Sequence, residues 1–452
     1  MKAPPVKALG LAALCCLLMA CVPIKETHFS AQGQQQLDGL AEWRQSQETG
    51  IAATKLTDLI DSPVAIELVE HGLKHNPGLQ QSAFAIEIAR QTVVSAQGDL
   101  LPESSLTLGQ NKTEGESSRY QTNVSVSWTL DWLGKLKDGV DVQEAALLNT
   151  IVADQYARDL LASSIMNTWL QWVQQQQLID IERQRLKVLE QNETTIVERY
   201  RKGLDALSDL DSARSQSASS RATLASNVEA HQALGRALAV LTGDQDVVLQ
   251  AADQFPEVFV PLASLPAQDL GRRPDLQQAY LNIRMADLNS AIAYKALLPS
   301  FSLTAAFSGS DTSFQDALLT SPAWSLLGQL TAPLFQGGKL KAAAKQAELS
   351  AEQAYWVYQE TLLTAVKETE DALGQEKALT EQQFHIEDAL ANAERSFAIY
   401  QTKYRQGLVS FLDLLTVQTQ TFDLQMQRSQ IIYQRLSNRI TLGLALGLGV
   451  EQ

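Results

Sequence analysis

The sequence predicts a mainly α-helical protein with a small β part, built from one helix–strand–strand–long helix–helix unit used twice. Three observations predict it. The stretch Tyr200-Arg201-Lys202-Gly203-Leu204-Asp205-Ala206-Leu207-Ser208-Asp209-Leu210 returns 204 residues later as Tyr404-Arg405-Gln406-Gly407-Leu408-Val409-Ser410-Phe411-Leu412-Asp413-Leu414. Gly134-Lys135-Leu136-Lys137 returns at the same spacing as Gly338-Lys339-Leu340-Lys341. Each of these lysine motifs opens a helical pattern of about 65 residues, on the order of 100 Å long, that no proline interrupts. A helix of that length cannot be buried in a globular core and must pack laterally against similar helices. Duplication along a 452-residue chain argues for one repeated unit rather than unrelated domains.

Residues 1–20 read as a lipoprotein signal peptide. Lys2 and Lys7 form a positive start, and Ala8 to Ala20 is apolar but too short to span a membrane. Leu18-Met19-Ala20-Cys21 resembles a bacterial lipobox, with cleavage before Cys21 and acylation of its thiol and new amine. Val22 follows, without the aspartate that commonly retains such lipoproteins in the inner membrane. Cleavage removes Cys15 and Cys16, so a single lipidated cysteine remains and no intrachain disulfide forms. Residues 21–61 read as a polar, glutamine-rich, extended tether.

The first repeat covers residues 62–243. Ser62 caps a helix with Pro63 in its first position, and Asn76-Pro77 stops it. A second helix follows to about Leu100. From Tyr120 to Trp132 every even position is apolar or aromatic save Thr122, and the odd positions are polar, which argues a strand over about 120–132 with one apolar face. A weaker strand over about 104–111 carries Leu106 and Leu108. The long helix runs over about 135–201 and a return helix leads to Gly243-Asp244. Gly203 stands where a left-handed cap is wanted, making the first hairpin turn. Residues 244–270 hold Pro256, Pro261 and Pro266 and read as a linker. The second repeat, 271–446, has strands over about 301–309 and 324–335, a long helix over about 339–402, the turn at Gly407 and a last helix to about Leu446. Residues 447–452 form a tail.

Composition excludes several functions. A net charge of −15 with no basic stretch does not suit nucleic acid. No nucleophile–His–acid arrangement can be singled out among five histidines, so no catalytic residue is assigned and an enzyme has nothing to support it. His71 and His75 are four apart, a chelating spacing, but no third ligand is evident; no metal or cofactor is assigned. Gln174–Gln177 reads as a solvated helix face. The strands are long enough to cross a bilayer when tilted. Four of them are too few for a membrane barrel, so either they form a soluble sheet or several chains pool them. Tyr120, Trp128, Trp132, Trp324 and Phe335 lie near strand ends, where an interfacial girdle sits.

Gly271-Arg272-Arg273-Pro274-Asp275-Leu276, continuing to Leu297-Leu298-Pro299-Ser300-Phe301, resembles the TolC-like outer-membrane efflux channels, in their lipoprotein branch. So do Ser127-Trp128-Thr129-Leu130-Asp131-Trp132-Leu133-Gly134-Lys135-Leu136, both Tyr-Arg-x-Gly-Leu turns and Arg236-Ala237-Leu238-Ala239-Val240-Leu241-Thr242-Gly243. The resemblance covers residues 50–446. It implies a homotrimer with a twelve-stranded barrel in outer-membrane lipid, continuous with a twelve-helix periplasmic α-barrel. It implies a periplasmic adaptor and an inner-membrane pump, most often of the resistance-nodulation-division type. The channel is then a passive exit duct for drugs or other toxic small molecules and confers antibiotic resistance. The resemblance puts Leu412 and Asp413 near the periplasmic aperture, with Asp205 and Asp209 adding negative potential on the other hairpin. Helix capping is the plainer role for such first-turn acids. Thr416 stands where relatives often carry an acid. The turn residues Gly203, Leu204, Gly407 and Leu408 are candidates for adaptor contact. Two other readings stay open: the channel of an ATP-driven peptide or protein exporter, and a lipid-anchored coiled-coil scaffold without a pore.

Overall fold

A computed structural model of the chain describes residues 27–39, 55–115, 117–203, 205–246, 254–256, 267–319 and 323–450. The signal peptide, Cys21, Leu204 and most of the linker lie outside the described residues. The elements, in order, are α1 (Phe29–Asp38), a 3-10 turn (Leu56–Leu59), α2 (Pro63–His75), α3 (Pro77–Gly98), β1 (Glu103–Asn111), β2 (Arg119–Leu130), α4 (Lys135–Arg201) and α5 (Leu207–Thr242). After a second 3-10 turn (Ala267–Arg272) come α6 (Pro274–Lys295), β3 (Ser300–Asp311), α7 (Phe314–Leu319), β4 (Ala323–Thr331), α8 (Lys339–Arg405) and α9 (Phe411–Ala445). The duplication is visible in element lengths: α3 and α6 have 22 residues each, α4 and α8 have 67 each.

Two compact units divide the chain, with the boundaries falling inside α3, α4 and α8. The first holds residues up to 39, 82–153 and 275–362. Its centre is an antiparallel sheet in the order β1-β2-β3-β4. Because side chains alternate along a strand, register decides each face. Leu106 pairs with Val124, Val124 with Phe307, and Phe307 with Trp324; Leu130 pairs with Phe301, and Phe301 with Leu330. All lie on one face, where Leu106, Leu108, Trp324 and Leu326 are more than half exposed. The opposite face carries Ser105, Gln121, Asn123, Ser125, Ser302, Thr304 and Gln329. The strands end sooner than the alternation suggests: Trp132 and Phe335 lie beyond β2 and β4. Asp131 turns the chain by accepting the Leu136 and Lys137 N–H groups at 2.9 and 2.8 Å, which starts α4. The short helix α7, which sequence periodicity does not announce, lies on the apolar face. The Ala317 carbonyl accepts the Thr122 hydroxyl at 3.0 Å, over Gly309, where any Cβ would collide with that carbonyl.

The tether is not extended throughout. Residues 29–38 are helical because they dock: Gly33 lies against Tyr358 of α8 and Ile283 of α6, and the Ser30 N–H reaches Asp287 at 3.1 Å. Gln36 donates to the Tyr355 hydroxyl at 2.7 Å. A polar stretch with weak apolar periodicity gains its helix from tertiary contacts.

The second unit holds residues 40–81, 154–274 and 363–452. Here α4 lies antiparallel to α9 along a polar seam. Ser437 donates to Asn167 at 2.7 Å, Ser429 to Gln177 at 2.9 Å, and Asn192 to Gln418 at 2.9 Å, with a Gln174–Gln430 amide pair between. The glutamine run is therefore not a solvated face: Gln174 is buried and Gln177 is bonded, since amides facing amides satisfy one another inside a helix pair. On its other side α9 meets α8, where Arg435 and Arg439 share the buried Glu376 at 3.2 and 2.8 Å. α5 meets α4 through Ser220 and Glu182. The lateral order is thus α5-α4-α9-α8.

The segment after α9 is packed rather than a loose tail. Leu446, Leu448 and Val450 are buried, the Leu56 N–H bonds to the Gly449 carbonyl at 3.0 Å, and Asp159 accepts the Val450 N–H at 2.9 Å. Arg273 explains part of the Arg-Arg-Pro-Asp motif. It is buried, donates to the Ala445 carbonyl at the negative end of α9 (3.1 Å) and pairs with Glu368 (2.7 Å). Arg273→Ala is expected to cost about 2–4 kcal/mol, read as a lowered unfolding midpoint. Arg273→Lys should recover only part, since an ammonium lacks the guanidinium fork.

Candidate functional site

Both hairpin turns lie in the second unit, and both use glycine for the same reason. Gly203 and Gly407 have φ of +74° and +75°, a left-handed cap that a Cβ would strain. Their N–H groups bond to the Tyr200 and Tyr404 carbonyls, each at 2.9 Å, and the Leu408 N–H closes the second cap on the Lys403 carbonyl at 2.9 Å. Leu408 and Leu412 are each 68% exposed. Leu412 projects from the first turn of α9, beside Asp413.

Asp413 is tied to the helix start. The Ser410 hydroxyl and N–H donate to its carboxylate at 2.6 and 3.0 Å, while the Asp413 N–H donates back to Ser410 Oγ at 3.1 Å. This reciprocal cap holds the carboxyl below its ordinary 3.8, with the hydroxyl as the larger cause. Asp413 stays exposed and charged. Asp209 takes the equivalent place on α5 and accepts the Ala206 N–H at 3.2 Å.

Asp205 is placed differently. Its side chain is 8% exposed and grips Arg199 with both oxygens, at 2.9 and 3.0 Å. The Tyr404 hydroxyl donates to the same carboxylate at 3.1 Å, and the Arg199 guanidinium lies 5.1 Å from the Tyr404 ring centre. Burial first, and then the Asp205 charge, pushes the Tyr404 hydroxyl well above its ordinary pKa of 10; Asp205 likewise raises Arg199. This clamp joins the first hairpin to the end of α8. Beneath it Tyr404 packs with Leu189, Ile196, Leu210, Phe411 and Leu414 in an apolar cluster.

Sequence reasoning assigned Asp205 but missed Arg199 and Tyr404 as its partners. One signal was available: Asp205 aligns with Val409 of the second copy, and Val409 packs against the same cluster. The copies are not equivalent. Tyr404 is buried and its counterpart Tyr200 is 43% exposed. His71 and His75 stack with ring centres 4.3 Å apart, and His71 lies 3.3 Å from Asp244. Among the described residues, no three His, Cys, Asp or Glu side chains are grouped to hold a metal. Among them, too, no helix is long and apolar enough to cross a membrane.

A sheet with an exposed apolar face, two helices of 67 residues and paired hairpin turns define a helix-rich class of protein built on long lateral helices. The family described as outer membrane efflux protein matches residues 68–244 and 265–448, and the chain belongs to it. The protein is the outer-membrane exit duct of an efflux system, seated in the outer membrane and extending into the periplasm. Channels of this family are not enzymes, and efflux proteins of this kind work with an adaptor and an inner-membrane pump. The chain is 26% identical over 407 residues to the cation efflux system protein CusC of Escherichia coli O6:H1, covering 88% of each. It is 26% identical to the probable outer membrane lipoprotein SilC of Salmonella typhimurium, covering 86% of each. Its fold is similar to the solved Campylobacter jejuni CmeC outer membrane channel, with a TM-score of 0.80 at 21% identity over 92% of both chains. The open state of the Neisseria gonorrhoeae MtrE outer membrane channel also gives 0.80, at 19% identity, covering 90% of this chain and 95% of that one.

Replacing Asp205 by Asn should destabilise the hairpin by about 1–3 kcal/mol, because Arg199 keeps a half-buried charge without its partner. A double-mutant cycle with Tyr404→Phe should give a coupling above about 0.5 kcal/mol. The Asp413 cap follows opposite rules of exposure and pH. Its folded pKa is depressed, so its contribution is present above the ordinary 3.8 and is lost as pH falls through the lower folded value. Ser410→Ala should move the Asp413 carboxyl upward in an NMR titration.

Proposed function

We propose that three copies of the chain pool their strands into a twelve-stranded barrel and their long helices into a twelve-helix periplasmic duct. The observation that carries this reading is the sheet: β1 and β4 are both edges, and the apolar face, covered by α7 only near Thr122 and Gly309, is exposed at Leu106, Val124, Phe307 and Trp324. Twelve-residue strands β2 and β3, tilted by about 45°, rise about 30 Å, the thickness of the hydrocarbon core. Backbone edges cannot stand unpaired in lipid, so they pair with neighbouring copies. The face of serine, threonine and amide side chains then lines a wet passage whose fixed charges, Glu103 and Arg119, stand at the strand ends.

The duct is passive and its substrates are small molecules delivered by an adaptor and a pump, of the resistance-nodulation-division type. Relatives are named for cations and for toluene, so the pump rather than the duct chooses the cargo. Cys21, acylated after removal of residues 1–20, anchors each copy. Leu412 and Asp413 form the periplasmic constriction, with Asp209 adding charge. The clamp of Asp205, Arg199 and Tyr404 ties the first hairpin to the end of α8 at this end of the duct. Gly203, Leu204, Gly407 and Leu408 offer the turn surface to the adaptor; Leu408 is exposed as that role requires.

In a planar bilayer, Leu412→Ala combined with Asp413→Ala should raise single-channel conductance several-fold. Closed behaviour identical to wild type would count against the constriction, and a detergent-extracted monomer that conducts nothing would remove the trimer. Cys21→Ala should abolish the acyl mass on the mature N-terminus in intact-mass measurement.

A further inference from the structure

The rim where the sheet meets the long helices carries an unusual charge. Helices α5, α6, α7 and α9 begin with an acid in the first turn, as the helix dipole favours. α8 begins with Lys339 and Lys341, adds Lys345, and has no acid before Glu348. α4 begins with Lys135 and Lys137; its first-turn acid, Asp138, is engaged by Lys295 at 2.6 Å. Lys135, Lys137, Lys339 and Lys341 are all exposed, and among the described residues none of their ammonium groups is in an ion pair, although the Asp131 carboxylate caps α4 through the Lys137 main-chain N–H. At the start of α8 the ammonium groups thus stand at a positive helix end with no first-turn acid to offset them, whereas Asp131 offsets the start of α4.

Their setting supplies the missing partner. The register Leu130–Phe301–Leu330 brings the ends of β2 and β4 to the same level, two strands or about 10 Å apart, so both lysine pairs lie on one rim. Within strands β1 to β4 the only charged residues are at strand ends, Glu103, Arg119 and Asp311. Immediately beside the lysines, Trp132, Leu334 and Phe335 are 49%, 80% and 88% exposed. A cleft lined by Trp132, Leu298, Pro299, Leu334, Phe335 and Lys135 opens there. Apolar and aromatic side chains directly below a neutral apolar sheet, followed by a ring of cations, match the order of acyl chain, interface and headgroup.

We propose that Lys135, Lys137, Lys339 and Lys341 form a headgroup-binding collar for anionic phospholipid of the periplasmic leaflet, with the glycerol and upper acyl chain resting on Trp132, Leu334 and Phe335. The proposal rests on the reading of the sheet as bilayer-embedded. The bound phosphate neutralises the lysines and relieves the unfavourable dipole contact at the start of α8, so lipid and that helix start stabilise each other. The duplicated Gly-Lys-Leu-Lys motif then serves as a depth gauge used twice per chain.

The test compares wild type, a variant with all four lysines changed to Gln, and one with all four changed to Arg. Each is reconstituted into vesicles of phosphatidylglycerol in phosphatidylcholine, released in mild detergent and weighed with its retained lipids. Wild type should retain phosphatidylglycerol enriched roughly fivefold or more over its share of the vesicles, an effect of about one lysine's electrostatic attraction at low salt. The Gln variant should retain the bulk ratio, the Arg variant should keep the enrichment, and high salt should reduce it. Enrichment that survives in the Gln variant, or is absent from wild type, overturns the collar. Displacement of the lipid by inorganic phosphate alone would also overturn it, since the site would then be an ion site. Flotation with pure phosphatidylcholine vesicles separates the two readings: failure of all three proteins to float refutes the embedded sheet, whereas flotation without enrichment refutes only the collar.

Discussion

An unpaired backbone edge is the constraint from which the rest of this structure follows. One chain makes a meander of four strands, and both outer strands keep a row of peptide groups with no partner in their own sheet. In water such edges are a liability, and in lipid they are untenable. Every other feature of the first unit agrees with closure by neighbours. Most apolar side chains share one face and most polar ones the other, with Leu327 and Thr122 as exceptions, and charge is confined to strand ends. The same shortage explains the helices. A 67-residue helix has too much lateral surface for one partner, and the order α5-α4-α9-α8 leaves α5 and α8 as its outer members.

Within the second unit, two kinds of helix contact divide the work. Between α4 and α9, amides and hydroxyls bond along the seam, and near the turns Leu189 and Ile196 pack with Phe411 and Leu414. Between α8 and α9, the Glu376 pairing with Arg435 and Arg439 is buried and charged, and breaking it leaves an uncompensated charge. The clamp at Asp205 is the charged exception that ties the first hairpin to the end of α8.

Much of the architecture was legible in residues. The prolines and glycines mark the helix limits, since they remove donors or require positive φ. The alternation from Tyr120 onward is a strand because its period is two. Four places were not legible. Residues 29–38 looked like a polar tether and are a docked helix, because Gly33 allows close approach to Tyr358. Gln174 looked solvated and is buried, because its partner Gln430 lies 256 positions away. The tail after Ala445 carries core leucines. α7 had no periodicity to announce it in six residues.

The sequence by itself determined the duplication, the helix and strand lengths and the caps of both hairpins, because each depends on residues within a few positions of one another. Only the tertiary structure decided which of the repeated residues do the same job. Tyr200 and Tyr404 are one motif in the sequence, yet one is exposed and the other is buried beneath the Asp205 clamp. Two copies of a local pattern share their backbone geometry, but burial and charge pairing come from neighbours distant in the chain, and those differ.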